Sequence, residues 1–198
     1  MISIIKNIIA NVLTALYQPF GFAVILTVLF MFLYLFAKEH GWKGLFKQWW
    51  SNFKLDKSFR KISFLVFYTA MILFRTLLNR NMWANPLSNV IGVWGIYDSK
   101  GNLTTEAIEN LSLFIPFVIL LLWCFHDKIV GSSNNLLKTL WQSTKITFLF
   151  SLSIEFLQLF LRLGTFQLSD LFYNTLGGVI GGLIYWLYYA IHNRIKDK

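Results

Sequence analysis

Apolar residues run along this chain in long blocks separated by short basic or polar stretches. Five blocks approach the ~20 residues that an α-helix needs to cross a hydrocarbon layer. They fall at about 19–37, 62–79, 110–126, 145–163 and 168–191, and the third, the shortest, can begin as early as Thr105. The pattern predicts an all-α protein, a polytopic integral membrane helical bundle of about five transmembrane helices. The first 18 residues behave differently. Ile2, Ile5, Ile9, Val12 and Leu16 recur at helical spacing, with Ser3, Lys6, Asn7, Asn11 and Thr14 on other faces. That periodicity predicts an N-terminal amphipathic helix lying in the membrane interface. Pro19 suits the first turn of the spanning helix that follows. No small-residue cleavage pattern comes after the apolar run, so it reads as an uncleaved anchor.

Composition agrees with a membrane setting. Hydrophobic residues make up 56% of the 198 and charged ones only 14%, far from the balance of a soluble domain. A net charge of +9 invites a nucleic-acid reading, but its placement argues against one. Thirteen of the 18 Lys and Arg residues fall in 38–61, 126–145 and 193–198, flanking apolar blocks. Loop 38–61 carries Lys38, Lys43, Lys47, Lys54, Lys57, Arg60 and Lys61 against two acids. The positive-inside rule makes it cytoplasmic. Five spans then place the N-terminus outside and the basic tail inside. Segment 80–109, with Arg80 and Lys100 against Asp98, Glu106 and Glu109, belongs outside. The implied organisation is an interfacial helix (1–18), a first span with its basic loop (19–61), a transmembrane domain (62–192) and a cytoplasmic tail (193–198).

Two loops carry their own signals. Residues 42–53, WKGLFKQWWSNF, mix tryptophan with lysine, as interfacial aromatic and basic belts do. In the outer loop, Pro86 and Gly92 break regular structure, and Asp98-Ser99-Lys100-Gly101 reads as a tight turn. Thr104 or Thr105 suits the cap of a helix whose first turn holds Glu106. The many apolar residues of this loop suggest that it folds back over the helix ends.

Polar groups inside the apolar blocks change the picture most. Glu155, Gln158 and Arg162 sit in the fourth block at spacings of three and four, and so on one helix face. Glu155 and Arg162 are ~10 Å apart along the axis at 1.5 Å per residue. Asp170 and Asn174 share a face at the start of the last block. Beyond them Gly177, Gly178, Gly181 and Gly182 form two overlapping G-x-x-x-G patterns, which let helices approach closely. The turn between these blocks is short, so their polar ends should meet in an antiparallel hairpin. Arg75, with Asn79 one turn on, and Asn110 lie at similar depth. A charge inside a bilayer is costly, roughly 2.5–3.5 kcal/mol by the milder scales, and such residues gather at functional sites. The expected ligand-binding pocket therefore comprises Arg75, Asn110, Glu155, Gln158, Arg162, Asp170 and Asn174, in the outer half of the membrane. A purely structural network, such as Arg75 paired with Glu155, is the alternative.

Other chemistry is poorly supported. No serine stands in a G-x-S-x-G elbow, and there is no phosphate loop or dinucleotide fingerprint. Cys124, alone in an apolar run, gives neither an internal disulfide nor a metal-binding pattern. His40, His126 and His192 read as ordinary residues at the cytoplasmic ends of spans. Glu155 and Asp170 are a weak signal for acid–base catalysis. The sequence thus predicts no metal, cofactor or nucleic acid, and leans away from an enzyme.

Taken in order, these elements resemble the VanZ family. Arg75 matches an arginine near the outer end of an early span. Asn110-Leu-Ser-Leu-Phe-Ile-Pro116 resembles the family's N-x-x-x-F-I-P element, which adds Pro116 to the packing positions. Ser153-Ile-Glu155-Phe-Leu-Gln158 resembles its S-x-E-x-x-Q helix, and Asp170-Leu-Phe-Tyr-Asn174-Thr-Leu-Gly177 its D-x-x-x-N-T-x-G helix start. The resemblance covers roughly residues 65–190. Gln167 and Ser169 stand where the family often has acids, and Phe117 where it often has glycine. Arg162 enters the pocket from periodicity alone. The resemblance implies low-level resistance to glycopeptide antibiotics, teicoplanin more than vancomycin. Expected partners are membrane lipids, a lipid-linked cell-wall precursor or teicoplanin itself. A membrane enzyme acting on a lipid-linked envelope substrate, or a structural subunit of an envelope complex, are the alternatives.

Overall fold

A computed structural model describes the chain apart from residues 1, 18–19, 37–41, 79–84, 98–100, 132–134, 163 and 197–198. Pro19, His40, Asn79 and the turn at 98–100 lie outside the described residues. Among the described residues seven α-helices follow in order: α1 (Ile2–Tyr17), α2 (Phe20–Phe36), α3 (Trp42–Leu55), α4 (Lys57–Leu73), α5 (Glu106–Ile129), α6 (Leu136–Leu161) and α7 (Leu168–Lys196). A π-helical turn, Phe74–Leu78, extends α4. Among the described residues the only strand-like pairing is a bridge between Tyr97 and Leu103. Helices α5 and α6 are long and apolar enough to cross a bilayer.

Helices α5 and α7 run parallel at the centre. Gly177 and Gly181 of α7 lie against the backbone of α5. A Cβ at Gly177 would come within 2.3 Å of the Leu111 carbonyl oxygen, and one at Gly181 within 2.5 Å of that of Ile115. Pro116, next in sequence, removes a backbone N–H from α5 at this level. The other face of α7 meets α6 antiparallel, with Gly178 against Thr147 and Gly182 against Ser143. The two overlapping glycine patterns therefore serve two different neighbours, one each. On α6 the matching surface is a stripe of small buried polar residues, Thr139, Ser143, Thr147 and Ser151. Small residues on both sides let dispersion contacts form without bulk between the backbones.

Helix α4 packs antiparallel to α5. Leu65 and Ile72 join Phe114, Phe117, Val118, Leu122 and Ile154 in the main apolar core. Ala23 of α2 packs on Ala70 and Met71 of α4, and Met31 and Leu35 on Phe59. The basic segment read as a loop is largely helix α3, amphipathic and short. Its Phe46, Trp49, Trp50 and Phe53 stack in series, and Trp49 meets Phe59 edge-on. Arg60 closes its end by donating to the Phe53 and Lys54 carbonyls. Asp56 then caps α4, accepting from the Ser58 N–H at 2.8 Å. Helix α1 is present as expected and lies beside the start of α5, where Asn11 Nδ2 donates to Thr105 Oγ1 at 2.7 Å. Ile5, Ile9 and Leu13 remain exposed on it.

The segment between the π-helical turn and α5 folds back over the bundle. The N–H groups of Phe166 and Leu168 donate to the carbonyls of Pro86 (2.9 Å) and Val90 (2.8 Å). Gly92 takes a positive φ of 75°, and a Cβ there would meet Ser169 Oγ at 1.9 Å. Only glycine supplies both the conformation and the room. Trp94 packs on Phe172 and Tyr173. The loop thus braces the α6–α7 turn.

Candidate functional site

Four of the expected residues come together at that turn, all deeply buried: Glu155 and Gln158 are 1% exposed, Asn174 3% and Asp170 6%. Their partners come from their own chain. Glu155 Oε2 accepts the Gln167 backbone N–H at 2.8 Å, just before the first turn of α7. A helix N-terminus presents unpaired N–H groups and positive dipole, so a carboxylate is stabilised there. Asp170, in the first turn of α7, profits from the same field. Asn174 Nδ2 donates to Ser151 Oγ at 2.8 Å, joining α7 to the polar stripe of α6. Gln158 Nε2 donates to the Thr76 carbonyl at 2.7 Å. That bond reaches the π-helical turn, where the ladder of α4 loosens and a carbonyl is available to an outside donor.

Arg75 stands on the same turn, next to Thr76, but in a different environment. Its Nη2 lies 2.9 Å from Glu109 Oε2, and the two side chains are 29% and 12% exposed. The arginine therefore pairs with Glu109 of α5 rather than with Glu155. Glu109 Oε1 accepts from Thr105 Oγ1 at 2.5 Å, and that hydroxyl accepts from Asn11. Thr105 sits at the N-cap of α5 without a side-chain cap bond, its hydroxyl being turned to Glu109. Asn110 is half-buried, one residue beyond Glu109.

Arg162 does not join the buried set. Helix α6 ends at Leu161, and Arg162 adopts a left-handed conformation (φ 55°, ψ 36°) as its C-cap. Its side chain is exposed. The i, i+3, i+4 periodicity that links Glu155 to Gln158 stops one residue too early to carry Arg162 on that face. Glu109 was missed, because it lies in an acidic stretch that reads as extramembrane loop. The one clue was its place within the first turn of a capped helix.

The sequence model of the VanZ/LLP1 family matches residues 20–189. The chain belongs to the VanZ/LLP1 family. The match extends beyond the motif-bearing segment to include α2 and α3. VanZ-family proteins are membrane proteins, in keeping with the apolar lengths of α5 and α6. No curated protein and no solved structure matches the chain. Among the described residues, no cluster of His, Cys, Asp and Glu could hold a metal ion.

Proposed function

We propose that this VanZ-family protein spans the bacterial plasma membrane about five times, binds a lipid or lipid-like ligand at its outer end, and gives low-level resistance to glycopeptides, teicoplanin more than vancomycin. The observation that carries the reading is Arg75. Its guanidinium is partly exposed, on a π-helical turn, with Glu109 holding one edge. Single π turns inside α-helices are frequent at functional sites. A guanidinium has five N–H donors in a fixed fork, suited to phosphate or carboxylate, and Glu109 takes one nitrogen of them. Arg75 would hold an anionic headgroup, with Asn110 close by, while apolar helix surface holds the chain. Teicoplanin carries a lipid tail and vancomycin does not, so a protein acting in the outer leaflet can tell them apart.

Glu155, Gln158, Asp170 and Asn174 then act as the frame. They fasten α6 to α7, and through Thr76 they fix the turn that presents Arg75. Their deep burial favours this supporting role over direct ligand contact, and over acid–base catalysis by the two carboxylates. The test is susceptibility of a sensitive Gram-positive host expressing wild type or Arg75→Gln, with membrane levels checked by immunoblot. Teicoplanin protection should disappear in an equally abundant Arg75→Gln protein, with vancomycin susceptibility nearly unchanged throughout. Equal protection by both forms would overturn the assignment of Arg75, and protection by neither would overturn the resistance reading.

A further inference from the structure

The other end of α5 and α7 holds a feature that the outer site does not use. A cavity of about 410 Å³ opens there, lined by Lys61 of α4, His126 and Lys128 of α5, and Tyr189 and His192 of α7. His126 is only 8% exposed. Its ring stacks on Tyr189 at 4.2 Å between centroids, and neither ring nitrogen has a hydrogen-bonding partner. Both nitrogens are sealed from the cavity space, so the ring is part of its wall. The sequence made this histidine an ordinary interfacial residue, and its burial is what changes that view. The α5 backbone leaves helical geometry at Phe125 (φ −131°, ψ 26°), one residue before it. Lys61 Nζ donates to the Trp123 carbonyl at 3.0 Å and lies 5.0 Å from the centre of that indole ring. Two lysines thus line the cavity against one acid, Asp127.

A second, apolar cavity of about 350 Å³ adjoins the first, lined by Ile119, Trp123, Ile184, Tyr185 and Tyr188. Trp123, Tyr185 and Tyr188 line both. A basic chamber therefore lies beside an apolar groove between α5 and α7.

We propose that this is a binding site for one anionic phospholipid of the leaflet at that end, which the basic segments make the cytoplasmic one. The phosphodiester takes N–H bonds from Lys61 and Lys128, and one acyl chain fills the groove between Ile119 and Ile184. Charge complementarity selects an anionic headgroup, since lysine is a point donor to phosphate. The continuous apolar groove selects a lipid over a soluble phosphate. The inference rests on the membrane setting alone and is independent of Arg75 and of drug resistance.

Native mass spectrometry of the full chain in a neutral detergent tests it, with three probes: phosphatidylglycerol, phosphatidylcholine of the same acyl chains, and glycerol 3-phosphate. All measurements are made in the Arg75→Gln background, which lacks the guanidinium proposed to hold an anionic headgroup at the outer end; there phosphatidylglycerol should bind at one saturable site and the other two much more weakly. Removing both lysines, Lys61→Gln with Lys128→Gln, should weaken phosphatidylglycerol about fivefold per lysine, from about 1 kcal/mol for each basic residue near an anionic lipid surface. Ile184→Trp, which fills the groove on an exposed face, should weaken it as well. Equal binding of the two lipids would overturn headgroup recognition, and tight binding of glycerol 3-phosphate would overturn the lipid assignment. Full retention of phosphatidylglycerol in the double lysine variant, or its absence from the Arg75→Gln background, would place the headgroup elsewhere.

Discussion

Two polar regions meet at the π turn, where Gln158 bonds Thr76 beside Arg75, and they differ in almost every physical respect. Around Glu155, Gln158, Asp170 and Asn174 the side chains are sealed, with chain-derived hydrogen bonds tying α6 to α7 and to the π turn. Around Arg75 and Glu109 the charges are paired but partly open, at 29% and 12% exposure. The first arrangement resembles a scaffold and the second a binding edge. Gathering polar residues at one depth in a membrane protein does not make them one site. Burial divides those that hold helices from those that can meet a ligand.

The comparison predicts a graded series in detergent-solubilised stability, followed by thermal unfolding. Glu155→Ala should lie at the top. It leaves the Gln167 N–H without its charged acceptor in a buried place, a loss of about 1.5–3 kcal/mol, before any cavity is counted. Gly177→Ala should come close to it. The added carbon meets the Leu111 carbonyl oxygen of α5 at 2.3 Å, so backbone rather than a side chain must yield, and overpacking of this kind costs about 1–3 kcal/mol. Gln158→Leu should be milder, near the ~0.6 kcal/mol average for interhelical hydrogen bonds in membranes. It should nevertheless reduce teicoplanin protection by releasing the turn that carries Arg75, read as susceptibility at matched membrane levels. Smallest should be Arg75→Gln, within about 1 kcal/mol of wild type, as expected of a partly exposed ion pair, yet with the largest loss of protection. If Arg75→Gln instead unfolded the protein, the two regions would be one structural network.

Much of this was legible in the chain itself. Hydrophobic block lengths located α2, α5, α6 and α7, because a helix buried on most sides needs a continuous apolar run. The start of α4 was missed, since Lys57, Arg60 and Lys61 look like loop although Asp56 caps a helix there. Helix α3 was missed for a related reason. Its aromatic stripe is half diluted by lysines, and only packing against α2 and α4 reveals it as a helix. That Glu155 and Gln158 share one face of α6, and Asp170 and Asn174 one face of α7, followed from spacing within the two helices. Arg162 failed because helix ends are set by a single residue's φ and ψ, which periodicity does not see. The partner of Arg75 and the burial of His126 are long-range facts: each depends on which helices meet and at what height, as fixed by the two glycine faces of α7.

The most direct test of the central claim is to measure unfolding temperature and teicoplanin protection together for Glu155→Ala and Arg75→Gln. For a chain of this size about 1 kcal/mol moves the midpoint by roughly 2–4 °C. Glu155→Ala should drop the midpoint by several degrees, with protection falling in step with folded protein. Arg75→Gln should keep a midpoint within a few degrees of wild type and give no protection. A stable Glu155→Ala protein without protection, beside a fully protective Arg75→Gln, would reverse the roles assigned to the two regions.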